Sequence, residues 1–397
     1  MKERLSARAQ KISPSVTLSI DSKAKQMVSQ GIDVISFGVG EPDFDTPAHI
    51  REAAIKAIQT GFTRYTAASG INELKAAICA KLKRDSGLDY TPDQIVVSNG
   101  AKHSLYNALM VLVQAGDEVI IPTPYWVSYS EMVKMTDAEP VFVETKEEND
   151  FKVQLADLEA AVTPKTKALM LNSPSNPTGM VYTAEELTAI GQFCLKHNLF
   201  VIADEIYEKL VYDGAEHNSI AALVPELKDR TVLINGMSKA YAMTGWRIGY
   251  TASHVAIAKA MGSMQSHATS NPNSIAQKAS VAALNGPEEP ITAMVAEFAK
   301  RREVMVELVN GIDGLSCRTP QGAFYVMANV QKLYGRTIGG EVIKDDLQFS
   351  NLVLEKAHVA IVPGAAFGAP GFVRLSYATS MEMIREGLRR LDQFING

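Results

Sequence analysis

The sequence places a glycine turn, Gly100, Ala101 and Lys102, directly between a predicted strand and a predicted helix. Backbone N–H groups and the positive end of the helix dipole point out of such a turn, so it can bind an anion such as a phosphate. Many strand-to-helix turns contain a glycine and bind no ligand. On their own, these residues leave a phosphate site and an ordinary turn both open.

An asparagine and an aspartate follow two further predicted strands. Asn176 lies in a turn with two prolines and a glycine, which would hold its amide in a fixed direction toward a ligand oxygen. The alternative is an ordinary turn in which Asn176 bonds its own backbone. Asp204 ends an apolar run, where a carboxylate loses hydration unless a cation such as a protonated pyridine nitrogen faces it. Alternatively, Asp204 only caps the next helix.

A lysine and an arginine, Lys239 and Arg247, follow the next predicted strand. An isolated lysine is usually a solvated surface charge, so Lys239 indicates a site only together with its neighbours. Taken together, the four polar segments offer an amine, a carboxylate, an amide and an anion-binding turn to one small ligand.

These polar segments are positioned by a predicted sheet. Between about residue 90 and residue 255, short β-branched runs alternate with amphipathic stretches, which is typical of a largely parallel sheet covered by helices. Ligands of such sheets bind beyond the carboxyl ends of the strands, where the polar segments lie. The seven predicted strands are Gln94–Ser98, Glu118–Pro122, Pro140–Val143, Ala168–Asn172, Leu199–Asp204, Thr231–Asn235 and Arg247–Thr251.

The two ends of the chain have a different pattern, which predicts a second, smaller α+β domain. We expect an N-terminal segment over residues 1–45 that packs with this small domain, a large domain over 46–290 and the small domain over 291–397. In the large domain the predicted helices include Lys102–Gln114 and Ala184–Lys196. The small domain is expected to contain the helix Thr292–Val309, a terminal helix Ser380–Phe394 and, between them, the elements Ala323–Met327, Phe349–Ala357 and Phe372–Ser376. Near the N-terminus we expect a helix Ser22–Gln30 and a strand Val34–Phe37.

Composition excludes several classes of protein. The 397 residues are 46% hydrophobic and 21% charged, no segment approaches an uninterrupted apolar membrane span, and a net charge of −5 argues against nucleic acid as a partner. Three separated cysteines suit a reducing compartment, so we expect a cytoplasmic protein. The seven histidines never fall at the short spacings of a zinc or iron site, and no metal is predicted.

An ordered set of short segments spans almost the whole chain: Val39–Phe44, Arg64–Thr66, Pro124–Trp126, Asn176–Gly179, Asp204–Tyr207, Ser238–Lys239 with Met243–Gly249, and Val373–Ser376. With this set the sequence resembles the class I aminotransferases of pyridoxal-phosphate fold type I, and among them the bacterial aspartate aminotransferase branch. The resemblance implies a three-layer α/β/α large domain, with a seven-stranded and mostly parallel sheet, plus a smaller α+β domain.

The resemblance also implies a cofactor, pyridoxal 5'-phosphate, which Lys239 would hold as a Schiff base. Once freed by the incoming amino acid, Lys239 would act as the base that moves the substrate Cα proton. Asp204 would keep the pyridine nitrogen protonated, so that the ring withdraws electrons. Tyr207 and Asn176 would hydrogen-bond the phenolic oxygen, and Trp126 would stack on the ring.

The phosphate contacts implied by the resemblance come from two chains. Ser238, Arg247 and the turn at Gly100, Ala101 and Lys102 would hold the phosphate within one subunit. Tyr65 would reach the same phosphate from a second subunit, which implies a homodimer with shared active sites.

The implied substrates are an amino acid and a 2-oxo acid. Arg374 would bind the α-carboxylate through its planar guanidinium, with the Gly40 backbone, Trp126 and Asn176 as further substrate contacts. The leading reaction is ping-pong transamination between L-aspartate and 2-oxoglutarate, giving oxaloacetate and L-glutamate. An aromatic amino acid or prephenate is the second possibility, because a few pocket side chains can change the preference.

The residue that recognises the substrate side chain is not assigned by the sequence; Ser15, Thr17 and the helix after Lys102 are the candidates. Three other functions compete with transamination. A nicotinamide oxidoreductase is disfavoured because Asp43 replaces the third glycine of the dinucleotide motif. A transcription factor would need an added DNA-binding module, which the short stretch before Gly40 does not hold. A lyase on the same fold stays open.

Overall fold

A computed structural model of the chain describes residues 4–14 and 16–397. In this part of the chain the strands are β1 (Ile35–Ser36), β2 (Ile95–Ser98), β3 (Glu118–Thr123), β4 (Glu139–Glu144), β5 (Thr166–Asn172), β6 (Phe200–Asp204), β7 (Thr231–Gly236), β8 (Gly249–Ala252), β9 (Ser316–Cys317), β10 (Tyr325–Asn329), β11 (Thr337–Ile338), β12 (Glu341–Val342), β13 (Val359–Ala360), β14 (Val362–Pro363) and β15 (Phe372–Ser376).

The helices of the same residues connect and cover these strands. None of them combines the length and the apolar content needed to cross a membrane. They are α1 (Ala7–Lys11), α2 (Val16–Ser29), α3 (Ala48–Gln59), α4 (Asn72–Ser86), α5 (Ala101–Leu112), α6 (Ser128–Met135), α7 (Leu155–Ala161), α8 (Ala184–Lys196), α9 (Ile220–Leu223), α10 (Val255–Ala268), α11 (Ser274–Asn285), α12 (Glu289–Gly311), α13 (Asp346–Leu352) with a π-helical turn over Val353–Ala357, and α14 (Met381–Asn396).

The large sheet has the strand order β2-β8-β7-β6-β5-β3-β4. Strand β8 runs antiparallel to both of its neighbours, and the other neighbouring pairs are parallel. The prediction of a seven-stranded, mostly parallel sheet is therefore confirmed, and each predicted strand overlaps an observed one. The carboxyl ends of β5, β6 and β7 meet at one edge of this sheet, which is where the polar segments were expected.

Helices cover both faces of the large sheet because its strands are apolar on both sides. In β6, Val201 and Ala203 face a core that includes Leu187 and Ile190 of α8. Ile202, between them, faces the opposite core with residues of α5, α6 and α10. This alternation follows from the period of two in a strand and produces the three-layer α/β/α arrangement.

A smaller antiparallel sheet, of order β14-β15-β10-β9, packs against α12 and α14. Strand β1 lies apart from both sheets and pairs in parallel with β13. Helix α2 contacts the same region through Ala24, which packs with Leu354 and Ala360. Both N-terminal elements thus contact the C-terminal part of the chain, while the domain boundaries after residues 45 and 290 stay predictions.

Most element boundaries differ from those expected by a few residues, and for three of them the structure gives the physical reason. Helix α2 begins near Val16 rather than Ser22, because Ile20 shares the apolar face of Ala24 that packs against the C-terminal region. Strand β10 begins at Tyr325, since Ala323 has a positive φ of 56° that no extended strand contains. The element expected over Phe349–Ala357 is helical and begins three residues earlier, where Asp345 caps it by accepting a hydrogen bond from Gln348 N at 2.7 Å.

Candidate active site

A cavity of about 460 Å³ opens at the carboxyl ends of β5 and β6. Strand pairing explains why distant parts of the sequence meet there: Gly249 at the start of β8 lies opposite both Gly236 at the end of β7 and Ser98 at the end of β2. The predicted site residues that line the cavity are Gly40, Ala101, Lys102, Trp126, Asn176, Asp204, Tyr207, Ser238, Lys239, Arg247 and Arg374.

Lys239 brings its amine into this cavity from the loop after β7. Its Nζ donates to the carbonyl oxygen of Gly40 and lies 5.8 Å from the ring centre of Tyr207. Burial lowers the pKa of Lys239 to about 8, against an opposing effect of Glu41 and with help from the positive charge of Arg374. A substantial fraction of the amine is therefore neutral near pH 7.5 to 8, as a nucleophile or a base requires.

Asp204 places a carboxylate at the end of β6, with 3% of its surface exposed. Its Oδ2 accepts a hydrogen bond from the Tyr129 hydroxyl at 2.7 Å, and its Oδ1 accepts one from Ile206 N at 3.2 Å. Burial raises the pKa of Asp204 to about 6, and the hydrogen bond from Tyr129 opposes the rise. No cation of the described residues forms an ion pair with Asp204, so a cationic ligand group would stabilise it.

Arg374 lies in β15 with 3% of its surface exposed. Its Nη1 donates to Asn176 Oδ1 and its Nη2 to the Gly38 carbonyl, each at 2.9 Å, and its Cζ lies 4.4 Å from the ring centre of Tyr325. Its Nε is buried without a partner. Burial lowers the pKa of Arg374, and its described hydrogen-bond partners are a side-chain amide and a backbone carbonyl, both neutral, so this guanidinium can receive an anion.

A second group of residues that could bind an anion is the turn at Gly100. Gly100 has a φ of +87°, and a Cβ there would lie 2.2 Å from Arg247 Nη2. The Arg247 Nη1 donates to Thr244 O at 2.8 Å, which fixes the guanidinium beside the first turn of α5. Glycine is therefore required for the close approach of Arg247 to a helix N-terminus, and the two together suit a phosphate.

Lys102 and Trp126 form the wall of the cavity beyond this turn. The Lys102 Nζ lies 4.7 Å above the Trp126 ring centre, and burial together with the positive charge of Arg247 lowers its pKa. The indole also packs edge-on against Tyr129, with ring centres 5.4 Å apart. The Lys102 side chain thus adds a further cation to the cavity, separate from the backbone N–H groups of its own turn.

Similarity to known proteins agrees with this chemistry. A family model described as aminotransferase class I and II matches residues 32–391. An aspartate aminotransferase of Geobacillus stearothermophilus is 51% identical over 99% of both chains. An aspartate/prephenate aminotransferase of Nitrosomonas europaea is 46% identical over 99% of this chain and 100% of that relative. This chain belongs to the class I and II aminotransferase family. The crystal structure of the aspartate aminotransferase from Rhizobium meliloti has a TM-score of 0.96 at 46% identity, and the match covers 99% of each chain.

The residues of this aminotransferase fit pyridoxal 5'-phosphate as a cofactor. Such a molecule needs an amine for its aldehyde, an anion for its ring nitrogen and a cradle for its phosphate. The cavity offers the amine of Lys239 with a lowered pKa, the buried carboxylate of Asp204 whose described hydrogen-bond partners are neutral, and the turn at Gly100 beside Arg247. Each matches one part of the cofactor, and all three lie around the same cavity.

Two predicted residues of the aminotransferase do not line its cavity. Gly100 lies just outside it, where it contacts Arg247 as described. Tyr65 is 91% exposed and is not part of the cavity wall of its own chain. Of the candidates for side-chain recognition, Thr17 and, in the helix after Lys102, Leu105 line the cavity, whereas Ser15 lies outside the described residues.

Several residues of the site were missed from the sequence. Tyr129 follows Trp126 by three residues and lies beside it, so a helical spacing from the recognised motif could have indicated it. Tyr325 donates to or accepts from the Tyr207 hydroxyl at 2.9 Å and stacks on Arg374. No local signal indicates Tyr325, because its place depends on the pairing of β10 with β15.

Proposed function

We propose that this aminotransferase binds pyridoxal 5'-phosphate on Lys239 and transfers the amino group of L-aspartate to 2-oxoglutarate, giving oxaloacetate and L-glutamate. The observation that carries the proposal is Arg374, a buried guanidinium with neutral described partners in the same cavity as the Lys239 amine. When bound, the cofactor supplies an aldehyde that links to amines and a ring that withdraws electrons.

The substrate α-carboxylate is assigned to Arg374. Its Nε has no partner, and its two terminal nitrogens bond only a side-chain amide and a backbone carbonyl. A carboxylate would bring a full negative charge to this guanidinium, and a charge-assisted pair is about twice as strong as a neutral hydrogen bond. The backbone of Gly40, which lines the same cavity, is the expected second contact.

Arg374→Lys tests this assignment, because lysine keeps the charge and loses the planar fork. The KM for both the amino acid and the 2-oxo acid should rise by about 100-fold, which corresponds to about 3 kcal/mol. An unchanged KM for both would remove Arg374 from the carboxylate site.

Proton movement is assigned to Lys239 Nζ. With a pKa of about 8, this amine would take the proton from the substrate Cα and deliver it to the cofactor carbon that had carried the aldehyde oxygen. Asp204 would hold the ring nitrogen in its protonated state. Tyr207 and Asn176 would each donate a hydrogen bond to the phenolic oxygen. Trp126 would cover the ring face.

The phosphate is assigned to the turn at Gly100, Ala101 and Lys102, to Ser238 and to Arg247. The geometry of Gly100 and Arg247 supports the proposal, because their close approach leaves a cation directly beside free backbone donors.

A second carboxylate is expected on the substrate because the cavity holds the additional cation of Lys102. Aspartate and 2-oxoglutarate both carry a distal carboxylate, and the Lys102 Nζ above Trp126 is the described cation best placed to receive it. The names of the relatives in Geobacillus and Rhizobium also refer to aspartate.

The second candidate is a broader enzyme that also uses prephenate, which the name of the Nitrosomonas europaea relative suggests. Purified holoenzyme mixed with one amino acid at a time, without acceptor, distinguishes the candidates. Aspartate should remove the yellow absorbance and release one equivalent of oxaloacetate per site. The aminotransferase would be assigned to the broader class if prephenate then restored the absorbance as fast as 2-oxoglutarate does. Release of ammonia, without transfer of the amino group to a 2-oxo acid, would indicate a lyase.

A homodimer with shared sites is proposed from Tyr65. A tyrosine that is 91% exposed leaves a large aromatic surface in water, which commonly marks an interface. In a two-fold dimer its hydroxyl would complete the phosphate site of the partner subunit. Sedimentation and specific activity measured together over a dilution series test this, and full activity in separated monomers would contradict it.

A further inference from the structure

One segment, residues 38–46, crosses the cavity without forming a helix or strand. We call it the strap. Its Gly38 carbonyl accepts from Arg374 and its Gly40 carbonyl accepts from Lys239, so the strap contacts both residues that the proposed reaction depends on. Because no ladder of backbone hydrogen bonds fixes an irregular segment, its position depends on the side chains that anchor it.

The strongest of these anchors is Asp43. Both of its carboxylate oxygens accept from Arg301 Nη1 of α12, at 2.7 and 2.9 Å. The Arg301 side chain is 8% exposed and that of Asp43 is 30% exposed, so this pair is far better shielded from water than a surface ion pair. Arg301 Nε also donates to Glu297, one turn earlier on the helix, at 3.1 Å.

Aromatic contacts reinforce the same anchor. Phe44 packs edge-on against Phe298 of α12, with ring centres 5.3 Å apart. The Arg301 guanidinium lies 5.1 Å from the Phe44 ring centre and 5.6 Å from that of Phe298, which suits cation–π attraction. Phe298 is itself fully buried, so the anchor stands on the rigid part of the helix.

We propose that the ion pair of Asp43 and Arg301 is a positioning pair, which holds the strap so that the Gly38 and Gly40 backbone and Arg374 together form the carboxylate site. This inference rests on the proposed function, in which Arg374 binds the substrate carboxylate. Neither Asp43 nor Arg301 lines the cavity, and each acts through the strap.

The physical argument is one of pre-organisation. If Asp43 releases Arg301, the strap gains conformational freedom near Gly40 and must be ordered again each time a substrate binds. Every substrate carries the α-carboxylate, so the loss is common to the amino acid and the 2-oxo acid. Asp204 and Arg247 keep their places, because the hydrogen bonds that hold them involve no residue of α12 or of the strap. Binding should therefore suffer more than the chemical step.

The next residue of the same helix provides a matched control. Arg302 is also buried, donates to Asp213 and donates to the Pro320 carbonyl at 3.0 Å. Asp213 thus forms an aspartate–arginine pair with α12, as Asp43 does, yet it contacts no residue of the strap through this pair. Asp213→Asn removes the carboxylate that pairs with Arg302 of α12, and it leaves the ion pair of Asp43 and Arg301 in place.

The experiment compares Asp43→Asn, Arg301→Gln, their double variant and Asp213→Asn as holoenzymes. The dissociation constant of maleate, a dicarboxylate without a reactive amino or oxo group, is measured by calorimetry beside KM and kcat. Asp43→Asn should raise the maleate Kd and both KM values by about 10-fold and change kcat by less than about threefold. Asp213→Asn should change all of them by less than about twofold.

The double variant tests whether the pair acts as a unit. The double variant should bind maleate no more weakly than the weaker-binding single variant, because each change removes the same contact. The inference is overturned if Asp43→Asn binds maleate within about twofold of the wild type, or if Asp213→Asn weakens binding equally. Failure of the proposed function gives a different result, because the wild-type enzyme would then neither bind maleate nor use aspartate. In that case the role of the ion pair is tested by comparing KM for the best amino acid between the wild type, Asp43→Asn and Asp213→Asn.

Discussion

Tyr129→Phe removes one oxygen atom from beneath the cavity, and its effect can be worked out from the structure. The Tyr129 hydroxyl donates at 2.7 Å to Oδ2 of Asp204, and both residues are buried. A hydrogen bond to a charged group contributes about 1.5 to 3 kcal/mol, and one pKa unit corresponds to about 1.4 kcal/mol. Its loss should raise the pKa of Asp204, already about 6, by about one to two further units.

The sign of the pH effect follows from the charge of Asp204. A carboxyl group with a raised pKa gives up its charge as the pH falls through that pKa, and only the ionised form can stabilise a protonated ring nitrogen. Below about pH 8 the variant should therefore lose activity that the wild type keeps. We expect kcat at pH 7 to fall by about 2- to 10-fold, the ratio of the ionised fractions of Asp204, with KM nearly unchanged because Arg374 and Gly40 are not touched.

The assay is the pH dependence of kcat with saturating aspartate and 2-oxoglutarate. Tyr182→Phe is the control, because its hydroxyl is also buried but accepts from Val153 N at 3.0 Å, away from Asp204. The control should keep the wild-type profile. A Tyr129→Phe enzyme with the wild-type kcat at pH 7 and an unshifted acidic limb would refute the reasoning.

Other predictions concern the phosphate turn, the amine and the additional cation. Gly100→Ala should raise the Kd of pyridoxal phosphate at least about 10-fold, because the new Cβ would lie 2.2 Å from Arg247, whereas Gly61→Ala, with open space around it, should not. The rate of cofactor uptake by cofactor-free protein should rise with a midpoint near pH 8, where Lys239 loses its proton, and level off above about pH 9; a midpoint near pH 10 would contradict the lowered pKa. Lys102→Leu should raise KM for aspartate by about 10-fold or more and leave KM for alanine unchanged, and equal changes would contradict its role.

The large sheet could be predicted from the sequence because its strands are short, β-branched and separated by clear helical periods. Strand β15 was placed at its observed bounds, and so was helix α8, whose first turn has a capping box of Thr183 and Glu186. The small domain was harder, since β10 begins only after Ala323 has turned the chain through a positive φ. A positive φ at an alanine is uncommon, and the residue type does not predict it.

The site was predictable where motifs carry their own chemistry and unpredictable where tertiary packing decides. Lys239, Asp204 and Arg374 line one cavity as the resemblance implied. The ion pair of Asp43 and Arg301 was not predicted, because the two residues lie far apart in sequence and each resembles an ordinary surface charge. The same is true of Lys81, which is 1% exposed and pairs with Glu208.

The most direct test of the account is to find which residue carries the cofactor. Holoenzyme is treated with sodium borohydride, which makes a lysine–cofactor bond permanent, and the digested protein is analysed by mass spectrometry. We predict that the added mass lies on the peptide containing Lys239 and on no other lysine, and that Lys239→Ala protein shows neither the label nor the yellow colour. Label on another lysine, or a native protein that takes up no cofactor, would contradict the central claim.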